Sequence, residues 1–198
     1  MKAEMSSKVK KKILKLKESS TLVINEKSKE LILKGKKVYQ FGFGQSPFPV
    51  PEKIVEALKK NAHRKEYLPI QGLIDLREKI SKYLLKRTGN DYPKENILIT
   101  PGSKEAMLLI HIAFNGEIII PAPGWVSYEP QAEIGSNKVH WLETSRSNNW
   151  FPTGKELEKK IKMIGKNKNL ILILNSPNNP SGTVCSNLEE LAKIAKKI

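Results

Sequence analysis

The sequence predicts an α/β protein built on a mostly parallel, buried sheet, and three observations predict it. Short apolar runs alternate with amphipathic stretches from residue 97 onward, the order that βαβ units produce. One run, "NLILIL", reads as a strand buried on both faces. The unusual loops, rich in Pro, Gly and Asn, follow "ILIT", "EIII" and "LILIL", and in such sheets ligands gather at the carboxyl ends of the strands.

The elements follow in chain order. In the N-terminal stretch, Val9, Ile13 and Leu16 form one helical stripe among lysines, read as an arm packed on the protein or on a neighbouring subunit rather than as a membrane-surface helix. "NEKSKELILKG" is a helix from about Glu26, closed by Gly35. "KVYQF" is a short strand, and "GFGQSPFPVP" is a loop. Pro51 starts a helix carrying Ile54, Val55 and Leu58. "YLPIQG" is a loop, and the next helix runs through Leu76, Ile80 and Leu84 to Gly89. Then come strand "ILIT", helix "GSKEAMLLIHIAF", strand "EIII", helix "WVSYEPQAEIG", strand "KVHWLET", helix "GKELEKKIKMIG", strand "LILIL" and helix "SNLEELAKIAKKI".

Composition narrows the function. At 198 residues and 39% hydrophobic, the chain suits a globular core and not a disordered segment. The net charge is +15, but the basic residues are lysines apart from Arg64, Arg77, Arg87 and Arg146. Base and phosphate readers favour arginine's planar fork, so the charge reads as a solvated lysine surface and no nucleic-acid partner is expected. One cysteine, Cys185, and three scattered histidines give neither a disulfide framework nor metal-ligand spacing. With no membrane-spanning run and no signal-peptide pattern, the expectation is a cytoplasmic protein with no membrane partner.

Three loops carry chemistry. In "TPGSKEA", Pro101 and Gly102 end a strand while Ser103 and Lys104 open a helix, whose N-terminal N–H groups and dipole suit a phosphate. In "PAPGWVSY", Trp125 sits on a loop where an aromatic ring can stack on a flat ligand. In "NSPNNPSG", side-chain amides can hydrogen-bond a phenolic oxygen. Each loop also has a plainer reading: Ser103 as a helix N-cap, Trp125 as a core side chain, the Asn-Pro loop as a tight turn. Neither a P-loop nor a dinucleotide fingerprint is present.

In this order, preceded by "GFGQSPFPVP" and "YLPIQGLIDLR", the loops resemble those of fold-type I pyridoxal-phosphate enzymes, specifically class I/II aminotransferases of the aspartate aminotransferase type. The resemblance runs from about Thr21 to the last residue, and its most specific piece is "NSPNNPSG" against the family's N-x-P-x-N-P-[TS]-G. It implies a three-layer αβα large domain, here incomplete with its first four strands, plus the N-terminal segment of a small domain. Residues 1–47 would be the arm and the first part of the small domain, and 48–198 the first part of the large domain. It implies pyridoxal 5'-phosphate as cofactor, amino-acid and 2-oxo-acid substrates, and a homodimer at full length.

Residue by residue, the resemblance implies that Asn179 hydrogen-bonds the ring oxygen, with a cis bond to Pro180, and that Trp125 stacks on the ring. Gly102, Ser103 and Lys104 form the phosphate turn. Tyr67 reaches the phosphate in the neighbouring subunit, and Gly44 meets the substrate carboxylate. The Schiff-base lysine is expected downstream of these residues, so this half alone is expected not to transaminate. A C–S lyase or aminocyclopropane-carboxylate-synthase-like enzyme shares the visible loops, and a non-catalytic truncated pseudoenzyme is the third reading. "EIII", "KVHWLET" and "LILIL" are expected to pair with one another, leaving "ILIT" without sheet neighbours.

Overall fold

The computed structural model describes residues 8–14, 16, 20–42, 44, 46–165 and 167–197. The helices are α1 (Lys11–Leu14), α2 (Ser20–Leu33), α3 (Glu52–Asn61), α4 (Ile74–Thr88), α5 (Ser103–Ala113), α6 (Tyr128–Gly135), α7 (Gly154–Ile164) and α8 (Leu188–Ala195). The strands are β1 (Glu117–Ala122), β2 (Val139–Glu143) and β3 (Leu170–Leu172). The chain divides into two compact units, one of Met1–Glu26 with Met107–Ile198 and one of Lys27–Ala106.

The first of these, the sheet unit, holds a parallel sheet in the order β2-β1-β3. Ile118 pairs with Val139 on one side and with Ile171 on the other. The two-residue period of a strand sorts the β1 isoleucines onto opposite faces. Ile119 packs with Leu142 and with Leu157, Ile161, Leu191 and Ile194 of α7 and α8. Ile118 and Ile120 pack with Tyr128 and Ala132 of α6, alongside Met107 and Phe114. Sheet and helices thus make three layers. Thr153 caps α7 through a reciprocal pair of hydrogen bonds with Glu156, satisfying two otherwise orphaned N–H groups. The short α1 lies against α6.

The second unit carries α2 from Lys27 onward, together with α3 and α4. Gly35, at φ +74°, closes α2, with the Lys36 N–H on the Leu31 carbonyl. Gly89, also at +74°, closes α4. Among its described residues only Gly72 and Arg77 are buried. Ile54 and Leu58 of α3 are exposed, as is Leu76 of α4.

Two expected strands do not form. Residues 97–100, expected as a strand without sheet neighbours, have no ladder partner among the described residues, as expected, and are not a strand; the backbone N–H of Ile99 bonds instead to the Gln71 carbonyl at 3.0 Å. Residues 37–41 likewise pair with nothing among the described residues. A strand is defined by its neighbour, and the mutual pairing of the other three runs agrees with expectation. The helix expected from about Glu26 begins earlier, at Ser20.

Candidate active site

Within the sheet unit, two loops leave the carboxyl ends of β1 and β3. The first passes through a cis Ala122–Pro123 bond to Gly124 and Trp125. A Cβ on Gly124 would lie 3.0 Å from both Ile120 and the Pro121 carbonyl, so a side chain here would press on β1. Trp125 is half-buried against the Ile118–Ile120 cluster and stands edge-on to Tyr128, centroids 5.5 Å apart at 83°. The loop position and the partial core role of Trp125 therefore coexist. Burial raises the pKa of the Tyr128 hydroxyl.

The second loop holds cis bonds at Ser176–Pro177 and Asn179–Pro180, the latter as expected. Asn178 is its brace. It is 9% exposed, and its side-chain amide donates to the Pro123 carbonyl at 3.3 Å and to Ser181 Oγ at 2.8 Å. Its backbone exchanges bonds with Thr183 and Gly182. The Cys185 N–H donates to Ser176 Oγ at 3.0 Å. Asn178 thereby ties the β3 loop to the loop carrying Trp125, and a narrow crevice lies between Gly124, Tyr128, Asn175 and Asn178. Asn179 is exposed.

Within the second unit, Gly102 adopts φ +91° in open space and α5 begins at the next residue, Ser103. Gly102, Ser103 and Lys104 are all exposed, and the first turn of α5 presents N–H groups that helix geometry leaves without intrahelical acceptors. This donor set fits a phosphate. Tyr67 is fully exposed, and Gly44 is exposed with open space around its Cα. The residues thus fall into two groups: Trp125 and Asn179 in the sheet unit, and Gly44, Tyr67, Gly102, Ser103 and Lys104 in the second.

Arg77 and Asn178 were not singled out in the sequence. Arg77 is 6% exposed; its place on the Leu73–Arg77–Ile80–Leu84 stripe was the available signal, since a charge at helical spacing among apolar residues must find acceptors. Asn178 had none, because Asn-Asn offers two equivalent amides.

At the opposite end of the sheet, Glu117 begins β1, its carboxylate 2.9 Å from Lys168 Nζ and 2.5 Å from His140 Nε2. Lys168 first, then His140, hold its pKa down to about 2 from an ordinary 4.5. A carboxyl depressed in the folded state stabilises above its unfolded pKa, and that contribution fades as pH falls through the folded one. Stability is expected to drop between pH 4.5 and about 2. Glu117→Gln is expected to flatten this drop, while exposed Glu158→Gln leaves it unchanged; melting curves across the acid range check both. Among the described residues no helix is long and apolar enough to cross a membrane, and no group of three or more His, Cys, Asp or Glu side chains could hold a metal ion.

Known proteins share this architecture. The chain is 35% identical to an aspartate aminotransferase of Thermotoga maritima over 90% of its own length and 48% of that protein's. It is 31% identical to an asparagine–oxo-acid transaminase of Streptococcus mutans, over 92% and 47%. The crystal structure of Thermus thermophilus aspartate aminotransferase with maleate superposes with a TM-score of 0.87 at 27% identity, covering 96% of this chain and 50% of that one. The chain spans about half the length of the curated relatives it matches, and its α/β fold is the fold-type I architecture of these structures. Residues 36–198 match the family described as Aminotransferase class I and II, and to that family the chain belongs.

Proposed function

We propose that this chain is the cofactor-binding N-terminal half of a pyridoxal 5'-phosphate-dependent aminotransferase, which moves an amino group from an L-amino acid to a 2-oxo acid. The observation that carries the reading is the Asn178–Asn179 pair. One amide is braced inward on Pro123 and Ser181, and the next is exposed, in a motif matching the family's ring-binding loop.

In this reading the first-turn N–H groups of α5 and the Ser103 hydroxyl hold the phosphate, with Gly102 letting the turn approach closely. The Asn179 amide donates to the ring oxygen, and the Trp125 indole covers one ring face and excludes water from it. The Gly44 N–H meets the substrate carboxylate, and Tyr67 reaches the phosphate of a neighbouring copy. Bound there, the cofactor supplies an electron-withdrawing ring that stabilises charge at the substrate Cα. The lysine that would join it covalently is not among these residues. The assembled protein is a cytoplasmic homodimer, with residues 1–47 in its arm and small domain and 48–198 in its large domain.

The test is a chimera joining this chain to the C-terminal half of the Thermotoga maritima enzyme. Amino transfer from a panel of L-amino acids to 2-oxoglutarate is expected in the chimera and not in the chain alone. A folded chimera that binds the cofactor but releases ammonia or pyruvate instead of transferring the amino group would overturn the reading in favour of a lyase.

A further inference from the structure

The buried arginine of the second unit has no role in that scheme, yet it connects two of its parts. Arg77 Nε donates to the Gly72 carbonyl at 3.3 Å, and its terminal Nη1 donates to Gln71 Oε1 and to the Lys94 carbonyl, both at 2.9 Å. All three acceptors are neutral. A buried guanidinium costs free energy unless its donors are satisfied, and only arginine's planar fork reaches several acceptors on separate segments at once. Gly72 and Gln71 belong to the turn two residues beyond Pro69, in the loop that carries Tyr67. Lys94 opens the helical turn Lys94–Asn96 that leads into 97–100. Its ammonium also pairs with Glu78 of α4 at 2.5 Å, so α4 grips Lys94 by both its main chain and its side chain.

The two clamped segments also bind each other. Ile99 donates its N–H to the Gln71 carbonyl at 3.0 Å. Gly72, at φ +93°, presses so closely on Ile99 that a Cβ there would stand 2.6 Å from the Ile99 Cβ. Three residues after Ile99, the chain enters the Gly102 turn, where the Thr100 hydroxyl bonds the Gly102 carbonyl at 3.0 Å. Residues 97–100 have no sheet partner among the described residues, and this clamp constrains their course.

We propose that Arg77 is a positioning residue that holds the Tyr67 loop and the Gly102–Ser103 turn in one register, so that the turn addresses the phosphate ester of its own site while Tyr67 is presented to that of the neighbouring copy. The proposal rests on the phosphate-turn reading given above. Arg77 itself contacts no ligand; it acts through Gly72, Ile99 and the strand-like lead into the turn.

The test has two readouts on the chain itself. The first needs no ligand: amide hydrogen exchange at Ile99 and Gly102 is expected to speed up about tenfold or more in Arg77→Gln. It should be less affected in Arg77→Lys, which keeps the charge but not the fork, and in Gln71→Ala, which removes one acceptor. Exchange at Ile119 should be unchanged, separating a local release from general unfolding. The second readout is calorimetric affinity for pyridoxine 5'-phosphate against pyridoxine, probes without the aldehyde that would react with surface lysines. The preference for the phosphate ester is expected to fall about tenfold in both Arg77→Gln and Ser103→Ala, with pyridoxine itself unaffected. Should Arg77→Gln fail to fold, the two milder variants carry the same comparison. Unchanged exchange at Ile99 and Gly102 overturns the proposal whatever the ligand does. A preference lost in Ser103→Ala but kept in Arg77→Gln overturns it and leaves the phosphate turn standing. No preference in the unaltered chain overturns the phosphate turn itself, and the positioning role with it.

Discussion

Alanine at Ile119 is expected to cost the sheet unit about 3 kcal/mol, from lost transfer free energy plus the cavity left behind. Ile119 is 1% exposed on the central strand, paired with His140 on one side and Leu172 on the other, and its carbonyl accepts the Ile173 N–H at 3.0 Å. Its side chain fills the space between the sheet and the α7–α8 layer. The backbone around it is held by ladders on both sides, so the site cannot collapse inward to refill the void. Domains of this size are stable by only about 5–15 kcal/mol, so one such deletion removes a large share. Met163→Ala, on the exposed face of α7, is the control and should stay within about 0.5 kcal/mol. Denaturant midpoints at unchanged slope measure both. Equal effects would mean that the Ile119 face is not packed.

What the sequence made legible divides along the same line. The runs "EIII" and "LILIL" were readable because continuous apolar stretches need cover on both faces, and each packs into both core clusters; "KVHWLET" was readable from Leu142, which joins one cluster, and from Val139 and Trp141, which join the other. "ILIT" looked the same letter by letter, yet forms no strand: strand formation belongs to a pair, and its Ile99 N–H is taken by the Gln71 carbonyl instead. The early start of α2 at Ser20 was hidden by Val23 and Ile24, whose β-branched side chains lower helix propensity. In the site, the glycine turn, the tryptophan loop and the Asn-Pro loop were visible because their residue types are rare in regular elements. The braces behind them were not. Arg77 acts through acceptors far from it in sequence, such as the Lys94 carbonyl, and which of two adjacent asparagines turns inward is decided by Pro123, more than fifty residues earlier.

That choice gives the sharpest separation of structure from function in the chain. Asn178→Ala is expected to destabilise the sheet unit by about 1–3 kcal/mol, because the Pro123 carbonyl and Ser181 hydroxyl lose their donor in a place water reaches poorly. Asn179→Ala removes an exposed amide and is expected to leave stability within about 0.5 kcal/mol. In the chimera the order reverses in kind. Asn179→Ala is expected to lower cofactor affinity about tenfold at full stability, through loss of one hydrogen bond to the ring oxygen, while Asn178→Ala lowers affinity only as far as the loop loosens. Chemical denaturation and cofactor titration on the same two proteins distinguish these. If both substitutions destabilise equally, Asn179 is a second brace and the ring contact must come from elsewhere. If Asn179→Ala changes neither quantity, the motif is a turn and nothing more, and the observation that carries the aminotransferase reading of this loop is withdrawn.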